Sequence, residues 1–130
     1  MAYQVLTATT AASQSAGTDV TLILGIVPSG FAQGTWSPTR VSLTSPATLT
    51  GATATSVTFT FQTRRANSVV GSFAALTTAT GTNLTAGIET LVPAVTTPVA
   101  ILAGDQVECV LTHAGAGTAY SLVAARVELQ

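Results

Sequence analysis

The sequence predicts an all-β protein, a single antiparallel β-sandwich or jelly roll of about eight strands. Two observations carry this prediction. Short segments of alternating apolar and polar residues recur along the chain, separated by Gly, Pro, Asn and Ser clusters. The straight-chain helix formers Glu, Lys, Gln and Arg are scarce: charged residues are 7% of the chain and hydrophobic ones 47%.

The strongest segment is Ser56–Arg65. Val57, Phe59 and Phe61 fall on one face, and Ser56, Thr58, Thr60, Gln62 and Arg64 on the other. Side chains alternate along a strand, so this stretch has one aromatic face and one polar face. In chain order, Tyr3–Thr10 reads as a first strand or an extended arm, within an N-terminal stretch of residues 1–17 that closes in a small, polar loop. Val20–Val27 is a second strand, with Val20, Leu22, Leu24 and Ile26 on one side and Ile23 and Val27 on the other. Apolar residues on both sides predict cover on both sides. Gly34–Pro38 reads as a loop holding the only tryptophan, Trp36. Arg40–Thr44 is a strand with Val41 and Leu43 inward, and Ala47–Thr55 a connection.

After Arg65, Ala66-Asn67-Ser68 is a turn and Val69–Leu76 the return strand of a hairpin. Thr77–Gly87 is a loop. Short strands follow at Ile88–Val92 and Val99–Leu102, and Ala103-Gly104-Asp105 is a tight turn. Gln106–Thr112 carries Val107, Cys109 and Leu111 on one face. Ala114–Thr118 is a loop, and Tyr120–Leu129 is the last strand, with Leu122 on its outer side. No repeat, linker or second domain interrupts residues 1–130, so one domain is expected.

The net charge is −1, with no lysine. That balance gives no electrostatic footprint for nucleic acid and little repulsion between copies. The longest apolar run, Leu22–Val27, is too short to span a bilayer, and the N-terminus lacks the features of a secretory signal. A single cysteine excludes an intrachain disulfide. Cys109 and His113 share a strand face but lie about 13 Å apart, too far for one metal ion. His113 is the only histidine and sits at a strand end, the setting of a loop residue rather than a general base. The five carboxylates stand singly at strand starts, edges and ends, where solvation is the default. No catalytic, cofactor or metal residue is assigned, and no enzyme is expected. The candidate contact residues are Tyr3, Phe31, Trp36, Arg40, Arg64, Arg65 and Leu122: exposed aromatics and arginines dominate interfaces, and Leu122 is apolar on an outward face. For Trp36 and Phe31, capping the open end of the sandwich is an equal reading.

Two stretches together carry a family resemblance. One is Val57–Arg65 followed by Gly71-Ser72-Phe73-Ala74-Ala75-Leu76. The other is Val99–Val107, with its Ala103-Gly104-Asp105 turn, followed by a strand, a Gly/Ala loop and a final alternating strand. Over roughly Thr55–Gln130 the chain resembles the small virion proteins of tailed bacteriophages that decorate or cement the head. Its ending is similar to trimeric jelly rolls of the complement and tumour-necrosis-factor type. The resemblance implies a homotrimer, made in the host cytoplasm and seated on the outer surface of the virion. There it would bind the major capsid protein and brace the shell, with no nucleic acid, membrane or cofactor involved. Two alternatives stand beside it: a head- or tail-fibre component, and a jelly-roll module binding glycans or a cell surface through Trp36, Tyr3 and Tyr120.

Overall fold

A computed structural model describes residues 3–29 and 34–130. Ten strands are present in the described residues: β1 (Gln4–Thr9), β2 (Val20–Ile26), β3 (Thr35–Trp36), β4 (Pro38–Thr44), β5 (Val57–Arg65), β6 (Ser68–Thr77), β7 (Thr90–Leu91), β8 (Ile101–Leu102), β9 (Gln106–His113) and β10 (Ala124–Leu129). The only helical turn among them is a 3-10 turn at Thr53–Thr55, within the expected Ala47–Thr55 connection.

The strands form two four-stranded antiparallel sheets, ordered β1-β10-β4-β7 and β2-β9-β5-β6, and a small β3-β8 ladder. Partners nest: β1 pairs with β10, β2 with β9, β3 with β8, β4 with β7 and β5 with β6. The chain is therefore one long hairpin, wrapped so that β10 meets β4 and β9 meets β5. Two sheets built from such a wrapped hairpin are a jelly roll. The tip is the two-residue loop Ala66-Asn67 between Arg65 and Ser68. Both loop residues have positive φ, 50° and 65°. That is the primed-turn geometry whose twist matches the flanking strands.

The core lies between the sheets. Phe59 and Phe61 of β5, Phe73 of β6, Leu111 of β9 and Val127 and Leu129 of β10 are buried. The Phe61 and Phe73 rings pack tilted, 6.3 Å between centroids. Cys109 is buried among them as a small hydrophobe, and burial pushes its thiol pKa up.

Several strand boundaries differ from the sequence reading. Trp36 lies in β3 rather than a loop, and its ring is buried. The second strand ends at Ile26, and a bulge interrupts its pairing before that end. Ile23 faces Glu108 and Gly25 faces Val107, so Leu24 is the extra residue. A bulge shifts the alternation by one. Ile26, expected inward, is therefore exposed, and Val27 turns into the core. Ile23 is 61% exposed, so this chain does not cover the outer side of β2. The last strand starts at Ala124, not Tyr120. Leu122 has φ 50° and donates its N–H to the carbonyl of Ala11, so it sits in a bend, not on a strand face. It is exposed rather than covered. The stretch Ile88–Val92 contributes only Thr90–Leu91 as strand, stopped by Pro93, and Val99–Leu102 only Ile101–Leu102. Within the expected first strand or arm, Gln4–Thr9 is a strand paired with β10.

Candidate functional site

Charge in this molecule is concentrated in three small networks. The first is at the hairpin tip. Register places Gln62 opposite Glu108 and Arg64 opposite Gln106 on the outer face of the β2-β9-β5-β6 sheet. Glu108 is 2% exposed although it points outward, because its neighbours close over it. It accepts hydrogen bonds from Gln62 at 2.6 Å, Arg64 at 3.2 Å and Gln106 at 3.1 Å. Burial pushes its pKa up, and these bonds together outweigh the burial, leaving it below the ordinary glutamate value. Next to it Arg65 donates twice to Asp105, at 2.7 and 2.8 Å, the fork geometry that suits guanidinium and carboxylate. Asp105 is itself 1% exposed and also accepts the Leu102 N–H inside its turn. The Arg65 bond is the main reason its pKa lies below the ordinary value.

The second network is on the outer face of the β1-β10-β4-β7 sheet. Glu128 receives the Tyr3 hydroxyl and lies 3.3 Å from Arg126 and 3.8 Å from Arg40. Arg40 also pairs with Glu89. Hydrogen bonds from Arg40 and then Ser42 hold the Glu89 carboxyl down to about 2. The Tyr3 bond is the main cause of the lowered Glu128 value, and it raises that of the phenol in turn. The third network is one pair, His113 Nδ1 to Asp19 at 2.6 Å.

Together these networks take up all four arginines, all five acidic residues and the histidine. The carboxylates expected to stand singly in solvent are all paired. The topology explains most of this, because nesting and wrapping bring residues 40 or more apart in sequence side by side, while Arg126 and Glu128 are neighbours two apart on β10. Period two already put Gln62 with Arg64, and Gln106 with Glu108. The missing information was that β5 and β9 are neighbours.

Chemically, the networks are closed. His113 and Asp19 form two parts of a hydrolytic triad, but among the described residues no serine or threonine hydroxyl bonds the imidazole. The approach beside it is made by Gly17 and Gly117. No group of three or more His, Cys, Asp or Glu among the described residues could hold a metal ion. A cleft of about 200 Å³ opens beside Pro38, Arg40, Val41, Phe73 and Val92, below the roughly 300 Å³ at which small-molecule pockets begin. No helix among the described residues is long and apolar enough to cross a membrane.

Of the candidate contact residues, Tyr3 and Arg40 converge on Glu128, and Arg64 and Arg65 stand side by side at the hairpin tip. Leu122 is exposed and apart from both groups, and Trp36 is in the core, where it cannot anchor a partner. Phe31 lies outside the described residues. A sugar-binding groove would have needed Trp36, Tyr3 and Tyr120, and of these only Tyr3 is exposed. The sequence reading expected cover over Ile23 and did not single out the other exposed apolar residues of the edge strands: Val5 on β1, Ile26 on β2, Val69 and Val70 on β6, and Leu91 on β7. A signal for them was present in β2, where apolar residues fall on both sides and Gly25 marks a break in alternation.

Comparison with protein-family models, with curated proteins and with solved structures finds no match to this chain.

Proposed function

We propose that this chain is a structural virion protein, a capsid decoration or cement protein that binds the major capsid protein of a tailed-phage head and stabilises the shell. One observation supports an assembling, structural role above others: the charged side chains are spent on one another, while apolar side chains stay exposed along the sheet edges. Such a surface offers neither a catalytic electrostatic field nor a steering charge. It offers apolar and backbone contacts on a stiff sandwich. The resemblance over Thr55–Gln130 supplies the place of assembly, the capsid exterior, and the oligomer, a homotrimer.

The test is reconstitution. Purified chain mixed with capsids that lack it should bind to a fixed stoichiometry and raise the temperature at which the shells rupture. Absence of both binding and heat protection overturns the reading. Native mass spectrometry should give three chains per particle for the free protein.

A further inference from the structure

We propose that the edge of β1 (Gln4–Thr9) pairs with β1 of a second copy, antiparallel across a twofold axis, to make one continuous sheet. The two larger sheets have four edge strands, and the strands of the β3–β8 ladder are only two residues long. An edge presents unpaired backbone groups, and folded proteins blunt such edges. Three of the four are blunted here. The β2 edge carries the Leu24–Gly25 bulge. The β6 edge is covered by the following chain, through Ala75 N–H to Pro93 O, Val95 N–H to Phe73 O and Val99 N–H to Ser72 O. The β7 edge is two residues long.

The β1 edge has none of these devices. It is six residues with no proline, no charge and no break in register against β10. Among the described residues its backbone bonds only β10. The core beside it is also incompletely closed. The inward residues Leu6 and Ala8 of β1, with Val20 and Leu22 of β2, are only half-buried, whereas the inward residues of β5, β9 and β10 are buried.

The occupant follows from charge and from elimination. In a second copy the other edges are blunted, so β1 itself is the edge left to receive β1. Its outward residues Val5, Thr7 and Thr9 bring no charge to the axis. The nearest charges, Arg126 and Glu128 on β10, are already paired with each other. A net charge of −1 adds little repulsion between copies. A twofold contact of this kind is isologous, the commonest closure among oligomers. It also coexists with a threefold contact elsewhere, in which case it joins trimers. Six residues span roughly 20 Å, a footprint below the ~800 Å² per partner of a standard interface. Pairing is therefore concentration-dependent.

The experiment is native mass spectrometry and sedimentation of the full chain across the micromolar range. Even-numbered species should grow with concentration. Val5→Lys with Thr7→Lys, both on exposed outward positions, should weaken them by roughly tenfold or more. Mixing that variant with Val5→Glu/Thr7→Glu should restore them, and Thr112→Lys on the other sheet should leave them unchanged. Absence of even-numbered species in the unaltered chain, or their persistence at full strength in the lysine variant, overturns the proposal. Should the lysine variant lose its β circular-dichroism signal, hydrogen exchange of the unaltered chain decides. Protection of Gln4–Thr9 that rises with concentration supports the pairing, and protection independent of concentration overturns it.

Discussion

Thr63 shows how one atom can work against the fold. It lies on the inward face of β5, fully buried, and its hydroxyl has no hydrogen-bond partner among the described residues. A buried hydroxyl that loses water and gains nothing carries a desolvation cost. Thr63→Val keeps the shape and removes that cost, so it should raise stability by about 1 kcal/mol in a denaturant titration. Asp105 and Glu108 show the opposite case, buried groups whose partners are present. Both carboxyls sit below their ordinary values. They stabilise the folded state above the unfolded carboxyl range, about pH 4, and that contribution is lost as pH falls through their lower folded values. Thermal melts taken downward from pH 5 should therefore show a steep loss. Asp105→Asn with Glu108→Gln should be less stable at neutral pH and show a shallower acid limb. An acid limb as steep as that of the unaltered chain would remove these two groups as its cause.

At the scale of elements, the hairpin tip and the β2 bulge divide what the sequence revealed from what it hid. The alternation in Val57–Arg65 was legible because β5 is central, regular and faces the core on one side only. The turn after it was legible from Asn67. Ala66, however, occupies a left-handed position, which costs an L-residue roughly 1–2 kcal/mol. Replacing Ala66-Asn67 by Asn-Gly, the pair most suited to this turn, should stabilise the protein by about 1 kcal/mol, read as a shift in the unfolding midpoint with an unchanged slope. The bulge in β2 was hidden because its cause is not local. The extra residue is defined only against Val107 and Glu108 on β9, and a one-residue slip exchanges every face beyond it. Trp36 was hidden for a similar reason. Gly and Pro around it signal a loop, while its burial depends on β8, which lies more than 60 residues away.

For the whole molecule, fold class was readable and sheet order was not. Strand existence follows from local alternation, whereas adjacency follows from the wrapping of the entire chain. The candidate site was only half readable for the same reason: the arginines were visible as singular residues, but, Glu128 beside Arg126 apart, their carboxylate partners arrive from distant segments whose adjacency no short window encodes. Closure of all charges into local pairs gives a further expectation. The proposed self-association should be nearly insensitive to salt, since every charged side chain among the described residues already has a partner. Sedimentation profiles at about 0.05 and 0.5 M salt should superimpose, and a strong loss at the higher concentration would show that ion pairs between chains drive assembly.

The nested pairing also predicts an order of folding. Each ladder from β5–β6 outward encloses the one before it. Once the tip has formed, β4 and β7 face each other across a loop already shortened, and so on to β1 and β10. Closing an inner ladder thus lowers the entropy cost of every outer one. This is a zipper with its first tooth at Ala66-Asn67 and its last at Gln4–Leu129. The Asn-Gly turn should then act mainly on the folding rate, and truncation of Leu129 mainly on the unfolding rate, when both limbs of a chevron are measured. On that order the β1 edge is expected among the last parts of the molecule to take shape.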